Sequence, residues 1–198
     1  MAKLNKITKQ TNNKFLNMYS FNLEHNGRVF DYFVASRAKN NDELKVNKKI
    51  FHNDGVAICA LLDGKLVIEK QLRYTINDYI YEFPAGLVED GESDSVTAIR
   101  EFYEETGLTF TPIENVDEIY TKPRYTSIGL TDETTSIVFG YASGTISNAH
   151  LEGNEDIQIV LVDKEEAKRI LKEENVTVIC AYILMHFIHN DDPFYFLK

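Results

Sequence analysis

Basic residues are scarce in this chain: 21 Lys and Arg stand against 31 Asp and Glu, a formal net charge of −10. That deficit argues against a nucleic-acid partner or an anionic membrane surface, because either calls for a basic patch. Cysteine is nearly absent as well. Cys59 lies in Val56-Ala57-Ile58-Cys59-Ala60-Leu61-Leu62 and Cys180 in Val178-Ile179-Cys180-Ala181. Both contexts read as buried thiols and not as a disulfide or a metal pair, and a reducing cytoplasm is the expected compartment. No apolar run is long: Val176 to Ile188 is interrupted by Thr177 and His186 and is too short for a bilayer of about 30 Å. It predicts a buried helix. The basic segment Met1-Ala2-Lys3-Leu4-Asn5-Lys6 lacks the apolar stretch of a signal peptide, so no export is expected. There is no internal repeat and no low-complexity tract.

What is present patterns as α+β. Tyr19, Phe21 and Leu23 recur before Asn26-Gly27, a dipeptide suited to a two-residue hairpin turn, and Val29 to Val34 forms the expected returning strand. The polar Lys39-Asn40-Asn41-Asp42-Glu43 then reads as a loop, which divides the chain into a β-hairpin appendage, residues 1–50, and a main domain, residues 51–198. In the main domain Gly55 to Leu62 and Lys65 to Gln71 flank Asp63-Gly64, a second hairpin signal. Tyr79 to Phe83 is a short strand stopped by Pro84 and Gly86. A helix follows from the N-cap Ser93 to the C-terminal Gly107, with Val96, Ile99 and Tyr103 on one face. Ser136 to Ser143 and Asp156 to Val162 are further strands, Asp163-x-x-Glu166 opens a helix over Lys164 to Glu173, and a last helix runs from about Thr177 to His189. The order predicts a mixed sheet.

The central helix carries an unusual charge pattern. Glu101, Glu104 and Glu105 share one face within roughly a 100° arc, in the last turns of a helix that ends at Gly107. There they oppose both the helix dipole and like-charge repulsion, each by a few tenths of a kcal/mol or more, roughly. For an isolated Glu-Glu pair the plain reading is a solvated acidic face. For three, beside a glycine-bearing loop, hard divalent cations offer compensation, since Mg²⁺ takes a few carboxylate oxygens together with phosphates and waters.

The stretch Gly86, Glu92, Arg100-Glu101-Phe102-Tyr103-Glu104-Glu105-Thr106-Gly107-Leu108 resembles the Nudix box, G-x5-E-x7-R-E-U-x-E-E-x-G-U with U apolar. Seven specified residues, each with a usage of roughly 7%, agree by chance on the order of 10⁻⁸ per starting point. Phe102 is aromatic where the family usually has an aliphatic residue. The resemblance implies a Nudix α/β/α sandwich with a mixed sheet and an N-terminal antiparallel β appendage. It implies Mg²⁺, with Mn²⁺ as a substitute, held by Glu101 and Glu105, by Glu104 as further ligand or orienting partner, and by the carbonyl of Ala85. Arg100 would position a carboxylate, Glu92 would tie loop to helix, and Gly86 and Gly107 would serve through their backbone.

Outside the box, Gln71-x-Arg73 and Tyr81-Glu82-Phe83-Pro84-Ala85-Gly86-Leu87 are similar to the approach segment of the ADP-ribose and nucleoside-diphosphate-sugar pyrophosphatases. Ser127-Ile128-Gly129-Leu130-Thr131-Asp132-Glu133 is similar to the loop ending in that subfamily's general base, with Ile128 where the subfamily has proline. The resemblance implies hydrolysis of a nucleotide sugar, foremost ADP-ribose to AMP and ribose 5-phosphate, by a homodimer. Glu133 is then the expected base, Asp132 its competitor, and Arg73 and Glu82 substrate contacts, each with a plain surface or strand reading beside it. GDP-mannose, another nucleotide sugar or a nucleoside polyphosphate is the rival substrate, and a non-catalytic nucleotide sensor the rival class. His186 and His189 lie i, i+3 in an apolar helix without acidic neighbours, so packing is the reading there.

Overall fold

The computed structural model describes residues 1–48, 52–151 and 153–197. Two compact units make up the chain, one built from Met1–Asp54 with Pro123–Thr135, the other from Gly55–Lys122 with Ser136–Lys198. The boundary expected between residues 50 and 51 lies outside the described residues.

In the first unit β1 (Lys3–Lys9), β2 (Asn17–His25) and β3 (Arg28–Ser36) form an antiparallel sheet in that order. The hairpin between β2 and β3 turns where Asn26 and Gly27 both hold positive φ, 50° and 73°, so the expected two-residue turn closes with His25 opposite Arg28. β1 carries only Leu4 and Ile7 as large apolar residues and breaks register between Leu4 and Lys6, which is why its sequence shows little strand pattern. Tyr19, Phe21, Val34 and Leu44 are the core of this unit, and the Tyr19 hydroxyl donates to the carbonyl of Ala38 at 2.7 Å.

Segment 123–135 folds with this sheet although it comes some ninety residues later. The N–H of Ala35 donates to the carbonyl of Leu130 at 2.9 Å, Ala35 bridges Thr131 in parallel, and the Tyr32 hydroxyl donates to the carbonyl of Gly129 at 2.7 Å. The buried ammonium of Lys45 pairs with Asp54 and donates to the hydroxyl of Thr134 at 2.6 Å, closing the end of the segment.

The second unit is a mixed sheet between helical layers. In chain order its elements are β4 (Gly55–Leu62), β5 (Lys65–Arg73), β6 (Asp78–Glu82), β7 (Ala85–Leu87), α1 (Asp94–Thr106), β8 (Thr109–Pro112), α2 (Glu118–Thr121), β10 (Thr134–Ser143), β11 (Ile157–Val162), α3 (Lys164–Glu173) and α4 (Val178–His189). The two-residue strand β9 (Arg124–Tyr125) belongs to the first unit and pairs there with Thr134 and Thr135. The sheet order is β11-β5-β4-β10-β8, with β6 on β5 and β7 on β4.

Alternation along β4 serves two cores at once. Ala57, Cys59 and Leu61 pack with Ala167, Ile170, Cys180 and Leu184 of α3 and α4, whereas Val56, Ile58 and Ala60 pack with Ala98 and Phe102 of α1. This is the α/β/α arrangement expected from the sequence. Cys59 and Cys180 are free, buried thiols, and burial pushes both pKa values up, that of Cys180 to about 12. Near Cys59 an apolar cavity of about 360 Å³, lined also by Phe139, His186 and Phe194, opens on the α3 and α4 side. His186 serves packing there, with its ring Nε2 at 2.9 Å from the carbonyl of Pro193.

Val96, Ile99 and Tyr103 do share one face of α1, and that face is exposed; the helix buries Thr97, Ala98, Phe102, Glu105 and Thr106. Both stripes have helical spacing; the buried one combines small residues, which let α1 approach the sheet, with one ring that fills the gap and stacks 5.2 Å from Phe110. The last helix, expected to be buried, needs correction: it exposes Val178, Tyr182 and Met185 along one side, while Cys180, Leu184 and Phe187 are buried and Ile179, Ile183 and Ile188 pack partly buried against the core. Among the described residues no helix is long and apolar enough to cross a membrane.

Candidate active site

α1 begins where the Ser93 hydroxyl accepts from the N–H of Val96 and ends where Gly107, at φ 71°, turns left-handed and donates its N–H to the carbonyl of Tyr103 at 2.8 Å. These caps set the phase of the helix, and the phase separates its three box carboxylates. Glu105 is buried against the sheet, Glu101 is partly covered, and Glu104 is half exposed.

The strand beneath is shaped to receive them. β7 pairs with β4 through Val56–Gly86 and Ala57–Ala85, and the N–H of Ala85 donates to Oε2 of Glu105 at 3.0 Å. Gly86 leaves room for Glu101: a Cβ at that position would sit 1.9 Å from the Glu101 carboxyl carbon. Here the glycine answers a close approach and not a turn.

Arg100 meets oxygens of four residues at once. Its Nε and Nη2 meet the two Glu92 oxygens at 3.0 and 2.8 Å, Nη2 reaches the carbonyl of Leu87 at 3.2 Å, and Nη1 lies 2.8 Å from Glu101 and 3.3 Å from Glu104. Glu92 also accepts from the Thr97 hydroxyl at 2.7 Å and from the N–H of Glu89, so one carboxylate joins the loop to two turns of helix. Arg100, with help from Thr97, holds the Glu92 pKa down at about 2.

A residue that motif reasoning did not single out completes the cluster. Along β5, Val67 packs under α1, and strand alternation carries Glu69, Gln71 and Arg73 onto the same side. Glu69 is 1% exposed, stands opposite Glu82 on β6, and shares a hydrogen bond with Glu105. Its Oε1 has no hydrogen-bond partner among the described residues. Burial pushes the carboxyl pKa of Glu69 and of Glu105 upward, and the charge of Glu105's neighbours Glu69 and Glu101 adds to it. Burial also raises Glu101, which Arg100 partly offsets. The available signal was the lone acid in the apolar run Leu66-Val67-Ile68-Glu69, a break in an otherwise buried strand. Beside it Arg73 donates through Nε to Glu82 at 2.7 Å.

Glu133 lies in the first unit. Its Oε1 takes Nε and Nη2 of Arg37, each at 3.0 Å, while its neighbour Asp132 accepts from the backbone N–H of Lys45 at 3.3 Å.

Residues 51–181 match the NUDIX domain. The chain belongs to the Nudix family. It is 29% identical over 152 residues to the ADP-ribose pyrophosphatase of Bacillus subtilis (strain 168), spanning 76% of this chain and 80% of that one. It is likewise 29% identical over 164 residues to the methanol dehydrogenase activator of Bacillus methanolicus, spanning 80% and 86%. The crystal structure of an ADP compounds hydrolase superposes with a TM-score of 0.65 at 16% identity, over 87% of this chain and 83% of the other. At that identity the likeness bears on the fold alone.

Nudix hydrolases generally use divalent metal ions, and the donor set here suits one. Glu69, Glu101 and Glu105 offer hard oxygen donors whose charge is incompletely compensated, and among the described residues one of their oxygens is buried without a partner. Among the described residues no three such side chains stand in the arrangement of a bound ion, and both Glu101 and Glu104 turn toward Arg100. Ion binding therefore calls for those two carboxylates to rotate off the guanidinium.

The contact at Gly86 yields a prediction. Gly86→Ala should leave the urea unfolding free energy within about 1 kcal/mol, since a flexible side chain can yield, yet turnover should fall on the order of a hundredfold because Glu101 is displaced by more than an ångström. Full activity in the variant would show that the Glu101 position is irrelevant.

Proposed function

We propose that this Nudix hydrolase cleaves the diphosphate bond of a nucleoside-diphosphate sugar, foremost ADP-ribose, giving AMP and ribose 5-phosphate. The observation that carries the reading is the set of Glu69, Glu101 and Glu105, incompletely compensated carboxyl groups gathered where α1 meets β7 and β5, with one Glu69 oxygen buried without a partner among the described residues. Such a set is stabilised by a divalent cation, and a cation so held attracts a diphosphate. The ADP-ribose pyrophosphatase of Bacillus subtilis, similar over most of both chains, supports the choice of sugar nucleotide.

In this reading Glu101 and Glu105, the carbonyl of Ala85 and, as further ligand or orienting group, Glu104 hold Mg²⁺ or Mn²⁺. When bound, the ion neutralises the diphosphate and makes water more acidic. Arg100 stays anchored on the Glu92 carboxylate while Glu101 and Glu104 turn from it toward the ion, and Arg73 with Glu82 contacts the substrate. Glu133 accepts the proton of the attacking water as its oxygen bonds to one phosphorus and the bridging oxygen leaves with the other phosphate. Asp132 is occupied by the Lys45 backbone, whereas among the described residues the Glu133 carboxylate is held by side chains, Arg37 and Thr126, and that difference favours Glu133 as base.

Val29, Phe30, Tyr32 and Phe33 of β3 are 40–62% exposed, an apolar strip that suits a second copy of the chain. The two buried thiols suit a cytoplasmic setting.

Three measurements test these assignments. In a panel of ADP-ribose, GDP-mannose, UDP-glucose and nucleoside triphosphates, kcat/KM for ADP-ribose should exceed that for any triphosphate by at least about a hundredfold, roughly 2.7 kcal/mol; equal use of a triphosphate refutes the substrate class. Glu133→Gln should lower kcat at least about a hundredfold with KM little changed, and Asp132→Asn much less; the reverse order, or two active variants, removes Glu133 as base. Sedimentation should give twice the 22.7 kDa chain mass, and Phe33→Glu should shift the protein to monomer; a monomeric wild type at tens of micromolar excludes the homodimer.

A further inference from the structure

Glu69 is a buried acid of the second unit that its neighbours satisfy only in part. At 1% exposure it cannot be solvated, and a carboxylate in such a place is costly unless a cation or donors meet it. The cation nearest at hand is unsuited, since Arg73 is committed to Glu82 by a 2.7 Å hydrogen bond. Donors are scarce too: among the described residues Oε1 has no partner, and the hydrogen bond that Glu69 shares with Glu105 exists only while one of the two acids carries a proton.

Packing does not call for a carboxylate here. Val67 precedes Glu69 on the same side of β5 and packs under Phe102 and Ala98, and Ile159 of β11 stands directly opposite Glu69 in the ladder. An aliphatic side chain would suit that layer. What distinguishes the position is its neighbour: Glu69 and Glu105 meet side by side, and the second Glu105 oxygen is steered by the N–H of Ala85. Two carboxylates brought together in a dry place, with one oxygen free, are half of an oxygen-ligand site for a small divalent cation.

We propose that Glu69 is a further metal ligand, delivered from β5 to a divalent cation that Glu105 holds from α1. The inference rests on the reading that the box carboxylates bind metal, and it adds a protein ligand from outside the box. A strand ligand opposite a helix ligand would couple the ion to the packing of α1 on the sheet, so that metal should stiffen that junction as well as serve chemistry.

Mn²⁺ binding to the full chain, followed by the loss of the free-ion electron paramagnetic resonance signal, tests the proposal without using turnover. Wild type, Glu69→Gln, Glu69→Asp and Glu105→Gln are compared, with thermal melting by circular dichroism in the absence and presence of Mn²⁺. Glu69→Gln should bind Mn²⁺ at least about tenfold more weakly, Glu69→Asp should fall between it and wild type, and the metal-free melting temperature of Glu69→Gln should equal or exceed that of wild type. Mn²⁺ affinity in Glu69→Gln equal to wild type, alongside a loss in Glu105→Gln, overturns the role of Glu69 and leaves the box reading intact. A metal-free melting temperature several degrees lower in both Glu69 variants, with equal affinity losses for Gln and Asp, assigns Glu69 to folding and also overturns it. Wild-type affinity in Glu105→Gln instead refutes the metal reading on which the proposal stands.

Discussion

The second unit depends on how closely α1 can lie on β7. Gly86 has no Cβ where the Glu101 carboxylate passes, and the Ala85 N–H next to it is satisfied by Glu105 and not by a strand partner. That arrangement turns the polar end of a helix inward. A helix seated through Ala98 and Phe102 alone would leave its acids in solvent, where they would be a minor electrostatic nuisance. Seated here, they are desolvated, and desolvation converts a mild repulsion into an unmet demand for positive charge.

Arg100 shows how that demand is divided. Its guanidinium fully serves Glu92, whose pKa falls, and only partly serves Glu101 and Glu104. Glu105 and Glu69, deeper in the sheet, receive nothing from it, and their pKa values rise. The acids around α1 thus split into a carboxylate satisfied by fixed donors, Glu92, and a set that fixed donors satisfy only in part. The helix dipole does not help, because the open set lies at the negative end of α1.

The first unit solves a different problem. A glycine-containing loop ending in Glu133 would be poorly defined on its own, and β3 gives it a template through Ala35, Tyr32 and Arg37. Lys45, Asp54 and Thr134 then lock its far end with a partly buried ion pair whose members are also hydrogen bonded, the condition under which burying charge is tolerable. The N-terminal sheet is therefore as much a scaffold for residues 123–135 as a structure in its own right.

Features governed by neighbours in the chain were legible from the sequence. Asn26-Gly27 and Asp63-Gly64 need only their own positive φ values to make hairpin turns, Ser93 and Gly107 cap α1 through groups three or four residues away, and the box from Gly86 to Leu108 is a spacing. Features governed by distant partners were not. Whether α1 buries Val96, Ile99 and Tyr103 or Ala98, Phe102 and Glu105 depends on the surface that receives it, since both stripes have the same helical period. β1 is a strand because β2 pairs with it, and 123–135 joins the N-terminal sheet because Ala35 and Arg37 meet it. Glu69 reads in sequence as a lone acid in an apolar strand. It becomes part of a site only when β5 is laid beside β6 and under α1, because the burial and like charge that set its chemistry belong to residues 13 and 36 positions away in the chain, Glu82 and Glu105.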